Sequence, residues 1–175
     1  VSLHIVIDGY NLIRQSRQFS ALDRQDLQSG REALVEALAA YKKIKGYAIT
    51  VVFDGAQAPP HMMRRDYLKG IELRYSNPRE LADTVIKRLA ARDKQKLLVV
   101  TSDSDIVRYA QSMGAAVIPS AEFEERLILA SQMALNPIEP LQAHSEGWQA
   151  TTRKKGPSRR LPKRRRRMDK RISKL

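Results

Sequence analysis

An α/β fold, a three-layer α/β/α sandwich around a mainly parallel sheet, is what two features of the 175-residue sequence predict. Five short apolar runs rich in branched residues recur along the chain, and amphipathic helical patterns lie between them. Such runs read as strands buried on both faces, as in parallel sheets, and strands alternating with helices imply right-handed crossovers.

The runs are LHIVI (3–7), YAITVVF (47–53), IELRY (71–75), KLLVV (96–100) and AAVIP (115–119). Between the first and second, residues 23–45 place Leu27, Leu34, Leu38 and Tyr41 near one helical face, and Gly46 follows as a stop. The segment 71–75 is read as the third strand, with PPHMMRRDYLKG (59–70) before it as a loop. A helix is expected from Asn77 as N-cap, with Pro78 at the first helical position and Glu80 at the third. Helices over 103–113 and 121–135, the latter capped by Ser120, complete the set. Asn136 and Pro137 end the last one, which sets the expected domain at 1–137 and a linker and tail at 138–175, with Trp148 in the linker.

Charge divides the chain in the same way. The net charge is +13, yet residues 1–152 hold 19 Lys and Arg against 18 Asp and Glu, whereas 153–175 hold 13 against Asp169 alone. Like charges repel and Gly156, Pro157 and Pro162 break helices, so the tail is expected to be disordered until an anion binds it. Its cations, Arg153, Lys154, Lys155, Arg159, Arg160, Lys163, Arg164, Arg165, Arg166 and Arg167, suit RNA, a ribosome or another ribonucleoprotein, through phosphate neutralisation with little sequence preference. No cysteine occurs, which excludes disulfides and Cys-ligated zinc, and His4, His61 and His144 have no metal-ligand spacing. Only five apolar residues precede Asp8, too few for a signal peptide or membrane span, so a soluble cytoplasmic chain without a membrane partner is expected.

Ligands of parallel α/β sheets bind beyond the carboxyl ends of the strands. Asp8 follows the first strand, Asp54 the second, and Asp103 with Asp105 the fourth, so all four are expected on one edge; Asp83 lies at the border of its helix's apolar arc and points in from the side. Each has a bland alternative: Asp8-Gly9 and Asp54-Gly55 are turn dipeptides, and Asp103 and Asp105 complement a helix dipole. As a set they are costly, since two carboxylates about 5 Å apart repel by roughly 3 kcal/mol at an effective dielectric near 20, unless a cation sits between them or some stay protonated. Hard oxygen donors without His or Cys favour Mg²⁺ or Mn²⁺ over zinc. Arg64, Arg65, Lys69 and Tyr67 after the second strand, and Tyr10, Arg14 and Arg17 after the first, are candidates for contacting a nucleic-acid backbone or base. Met62 and Met63 read as packing residues.

The segments IDGYNLI (7–13), VVFDG (51–55), ELADTVIKRL (80–89) and VVTSDSDI (99–106), in this order, resemble the YacP-like group of NYN-domain nucleases within the PIN-like superfamily. The resemblance covers about residues 3–135 and implies a sheet of order 3-2-1-4-5 and metal-dependent endoribonuclease activity leaving a 5′-phosphate and a 3′-hydroxyl. Carried over by motif, it implies Asp8, Asn11, Asp83, Asp103 and Asp105 as the catalytic set, Asp8, Asp83, Asp103 and Asp105 as metal ligands, and Asp54 at a further signature position. It says nothing of the basic tail. The rival readings are a non-catalytic RNA-binding domain on the same scaffold and a haloacid-dehalogenase-like phosphatase; the latter wants an aspartate where Tyr10 stands. Neither glycine-rich phosphate-loop pattern occurs.

Overall fold

A computed structural model describes residues 3–58, 63–135, 168–170, 172 and 173. The chain runs β1 (His4–Asp8), α1 (Gly9–Gln15), α2 (Arg17–Gln25), α3 (Leu27–Lys45), β2 (Ala48–Phe53), β3 (Arg65–Leu68), β4 (Ile71–Tyr75), α4 (Ala82–Asp93), β5 (Leu97–Val100), α5 (Ser104–Ser112), β6 (Ala116–Ile118) and α6 (Ser120–Leu135), with short 3₁₀ turns at Gly55–Gln57 and Lys94–Lys96. Six strands form one sheet of order β3-β4-β2-β1-β5-β6, parallel except for β3.

The period-2 alternation of each strand builds two cores. Ile5, Ile7, Ile49, Val51, Phe53, Leu98 and Val100 face one side, where α3 supplies Leu34, Leu38 and Tyr41 and α6 supplies Phe123 and Leu127. Val6, Val52, Leu97 and Val99 face the other, against Val85, Ile86 and Leu89 of α4 and Ile106 of α5. The sheet lies between these layers, and the five apolar runs keep their expected order 3-2-1-4-5.

A sixth strand joins them at the edge, where residues 59–70 were expected to form a loop. Arg65–Leu68 pairs antiparallel with β4 through a two-residue turn at Lys69 and Gly70, both at positive φ (52° and 79°), as tight hairpins require. Three of its four residues are exposed, so it lacks the buried apolar pattern that marks the other strands.

Three helix boundaries also depart from expectation. The helix expected at 23–45 is divided at Asp26, whose extended backbone (φ −159°) ends α2 and whose carboxylate accepts from the Ser29 amide to start α3. Residues 9–25 before that break form α1 and α2, which were not expected. The helix expected from Asn77 begins instead at Ala82, with no side-chain cap. The Ser76 hydroxyl takes the Glu80 carbonyl at 2.6 Å, Asn77 binds the Glu80 side chain at 3.1 Å, and the Thr84 amide turns to Leu81. The capping signature is therefore spent on a turn that leads from β4 into the helix.

The tail was expected to be disordered as a whole. At its far end this is corrected: residues 168–170 and 172 are helical, Met168 and Ile172 pack against the α3/α6 core, and Arg126 Nη1 donates to the Ile172 carbonyl at 2.9 Å. Apolar residues at i and i+4 give this short stretch a face to bury. The cations expected to bind RNA at 153–167 lie outside the described residues, as do Trp148, His61 and Met62.

Candidate functional site

The carboxyl ends of β1, β2 and β5 adjoin at the centre of the sheet, and each hands its chain to a turn opened by an aspartate. Asp8 caps α1 and accepts from the Asn11 amide at 3.2 Å. Asp54 caps the 3₁₀ turn and accepts from the Ala56 amide at 3.0 Å. Asp103 caps α5, accepting from the amides of Asp105 at 2.8 Å and Ile106 at 3.3 Å. Both Asp-Gly dipeptides serve close packing rather than a left-handed turn: a Cβ on Gly9 would stand 2.3 Å from the Phe53 ring, and one on Gly55 would stand 1.8 Å from the Ser76 carbonyl oxygen.

These caps line one cleft of about 300 Å³ with Tyr10, Asn11, Arg14 and Asp83. Thr101, directly after β5, ties the two central aspartates together: its hydroxyl donates to Asp8 Oδ2 at 3.3 Å and accepts from the Asp103 amide at 3.1 Å. Burial pushes the Asp8 carboxyl above the usual carboxylate range; bonds from Asn11 and Thr101 oppose that push, and the like charges of Asp103 and Asp83 add to it. Asp83, in the first turn of α4, pairs through Oδ2 with Lys87 one helical turn on, at 2.9 Å. Its Oδ1 is buried and has no hydrogen-bond partner among the described residues.

The other expected residues divide. Asn11 lines the cleft, but its carbonyl oxygen is a strut, accepting from Ser102 N at 3.0 Å, Ser120 Oγ at 2.7 Å and Gln15 Nε2 at 3.1 Å. Ser120 is thus the first residue of α6 with its hydroxyl committed to Asn11 rather than to capping. Asp105 is not among the cleft residues: its side chain is 65% exposed and pairs with Arg108. Arg14 lines the cleft and lies over the Tyr10 ring. Arg65 and Lys69 stand on the edge hairpin, paired with Glu72 and Glu36 respectively, away from the cleft residues, and Arg64 is exposed beside them. Sequence reasoning missed Thr101, Lys87 and the buried Arg31 behind Tyr10. Lys87 was detectable as an i,i+4 partner of Asp83; Arg31 carried no local signal of this role, because the Tyr10 hydroxyl and the Gln57 carbonyl that it holds are 21 and 26 residues away.

Among the described residues no three acidic or histidine side chains form a ready-made metal cage. The donor set nevertheless suits a hard cation: carboxylates without thiolate or imidazole, and one buried oxygen without a partner among the described residues, while the Lys87 ammonium on the other oxygen of that carboxylate is a competitor for it.

Comparison with known proteins gives the same picture. The YacP-like NYN domain family matches over residues 5–172, a span that includes the basic segment. The curated protein "Uncharacterized protein YacP" of Bacillus subtilis (strain 168) is 28% identical over 86 residues, 49% of this chain and about half (50%) of that relative's length. Two solved structures are similar. The crystal structure of Rae1 (YacP) from Bacillus subtilis superposes with a TM-score of 0.66 at 22% identity over 79% of this chain and 80% of that one. A mutant form of the same protein gives 0.61 at 24% identity over 74% and 77%. At these identities the structures establish the shared fold.

Proposed function

The chain belongs to the YacP-like NYN domain family, and from that premise we propose that it is a divalent-metal-dependent endoribonuclease. The observation that carries the reading is the meeting of Asp8, Asp54, Asp83 and Asp103 in one cleft, with a buried Asp83 oxygen that nothing in the described chain satisfies. A soluble protein does not hold mutually repelling carboxylates at the ends of its central strands without a use for them.

Asp8, Asp83 and Asp103 would hold Mg²⁺ or Mn²⁺, with Asp54 at the margin and Asp105 outside. When bound, the ion supplies Lewis acidity and a water of lowered pKa. The chain's own residues do the rest. Thr101 and Asn11 fix the loop that carries Asp103, so the carboxylates keep their spacing. Arg14 at the cleft mouth neutralises a phosphate of the bound strand. The basic tail adds affinity for RNA or a ribonucleoprotein with little sequence preference. No helix among the described residues is long and apolar enough to cross a membrane, and a cytoplasmic setting is part of the proposal.

The test is cleavage of a mixed RNA by wild type and by Asp83→Asn, in Mg²⁺, Mn²⁺ and chelator. Wild type is expected to cut only with metal, and Asp83→Asn to lose at least about a hundredfold in rate, equivalent to about 2.7 kcal/mol of transition-state stabilisation. A wild type that cuts no RNA favours the non-catalytic RNA-binding reading, and equal cutting by both, in chelator as in metal, contradicts a metal-dependent site built on Asp83.

A further inference from the structure

Tyr10 is 6% exposed, and that small exposed part lines the acidic cleft while a buried arginine holds its hydroxyl from within the protein. Arg31, on α3, is 5% exposed. Its Nε donates to the Tyr10 hydroxyl oxygen at 2.9 Å, and Nη2 donates to the same oxygen and to the Gln57 carbonyl. Nη1 donates to Gln28 Oε1 at 3.3 Å. Every oxygen that Arg31 bonds among the described residues is therefore neutral. The guanidinium also lies over the rings of Tyr10 and Phe53, 5.6 and 5.8 Å from their centroids.

A phenol oxygen has two acceptor lone pairs and one proton. Two guanidinium N–H groups on the lone pairs leave the proton as the sole group Tyr10 has to offer, and no described residue accepts it. A phenol is protonated at neutral pH and is thus a donor. A buried cation behind the hydroxyl, bonded by no carboxylate among the described residues although Asp26 acts on it electrostatically, strengthens that donor and favours an anionic acceptor in front of it over a neutral base edge. Asp23 and Asp54 lie near enough to act on Tyr10 electrostatically, but neither bonds it. Arg14, over the same ring at 5.6 Å, adds a second positive group to this wall of the cleft.

We propose that Tyr10 is a substrate-binding residue that donates its hydroxyl proton to a phosphate oxygen of the bound strand, and that Arg31 is the positioning residue that turns this proton toward the cleft. The inference rests on the reading of the cleft as the place where RNA binds. It differs from a packing role because the hydroxyl, not the ring, carries it.

The experiment uses the full chain and a fluorescent RNA hexanucleotide, with binding followed by anisotropy in Mg²⁺ and about 0.3 M KCl to screen the basic tail. Tyr10→Phe keeps the ring and is expected to weaken binding about tenfold, the loss of one hydrogen bond to a charged group. Tyr10→Phe strands two donors of the buried Arg31, so the melting temperature is expected to fall by a few degrees, whereas the Mg²⁺ concentration for half-maximal thermal stabilisation should not move. Arg31→Gln should weaken binding similarly in wild type and add little in the Tyr10→Phe background, the non-additivity of groups acting as one. Equal affinity of Tyr10→Phe and wild type, or an Arg31→Gln loss that is undiminished in Tyr10→Phe, overturns the proposal. So does a wild type that does not bind the hexanucleotide. Cleavage is scored in parallel, so a wild type that binds without cutting refutes the nuclease reading while the binding cycle still decides this one.

Discussion

Two aspartates at opposite edges of the sheet are pushed in opposite directions, and the difference separates a site from a scaffold. Asp93 is held down to about 2 by its bond from Arg92, burial opposing and His4 at 2.9 Å adding to the pull. His4 continues through Thr50 at 2.8 Å to Glu72, so Asp93 anchors a half-buried polar chain across three strands. Its contribution to stability is complete above the ordinary carboxylate pKa and is lost as pH falls through about 2. Asp93→Asn should therefore cost about 1 kcal/mol at neutral pH, allowing for the solvent around Arg92, and the gap to wild type should close near pH 2. Asp8 has the reverse sign. Its folded-state pKa is raised, so ionising it opposes folding once pH exceeds that raised value, and the penalty vanishes as pH falls below the unfolded value of 3.8. In chelator at neutral pH, Asp8→Asn should melt a few degrees higher than wild type, and thermal melts across pH check both signs. A lower melting temperature for Asp8→Asn would mean that its cap to Asn11 outweighs its burial. The aspartates were legible in the sequence because a strand end fixes where the next residue points. The exclusion of Asp105 was not, because the side chain of a helix-starting residue turns with the first helical turn, and Arg108 pulls this one outward.

At the scale of elements, the site is made by strand ends that approach more closely than side chains allow. Gly55 is the tightest example, lying against the backbone of Ser76, which cannot yield as a flexible side chain would. Gly55→Ala should destabilise the fold by about 3 kcal/mol or more, because the β2–β4 junction must open to admit the methyl group. Denaturant unfolding measures this, and a loss under about 1 kcal/mol would show that the junction gives way easily. The five buried strands were readable because each carries a short apolar run, even though β4 is apolar on one face only, with Ile71, Leu73 and Tyr75 in the core and Glu72 paired with Arg74 on the other face. The edge strand was not: Arg65–Leu68 is mostly exposed, and its turn uses Lys69 at positive φ where asparagine would have announced it. The start of α4 was misread for a related reason. The Asn77–Glu80 pattern is a true capping signature, but Ser76 removes the Glu80 carbonyl from helical use.

The whole molecule pairs a nearly neutral sheet domain with a strongly basic segment whose far end returns to the α6 layer. Met168 and Ile172 are the contacts that bring it back, and no pattern short of tertiary packing foretold them, since the surrounding charge reads as solvated chain. This separates two roles within the tail. Replacing Arg164, Arg165, Arg166 and Arg167 by Gln should lower the slope of log affinity against log salt by roughly 3, at about 0.7 per phosphate contact on a single strand, without shifting the melting temperature. Salt-titrated RNA binding checks this, and an unchanged slope would remove these arginines from the interface. The rest rests on the acidic cleft, and Mn²⁺ titration of the full chain by calorimetry tests it most directly. Mn²⁺ should bind wild type; Asp8→Asn, Asp83→Asn and Asp103→Asn should each weaken it at least about tenfold, equivalent to about 1.4 kcal/mol, and Asp105→Asn should not. Affinity untouched by the first three substitutions, or lost only with Asp105, would contradict a shared cation in this cleft.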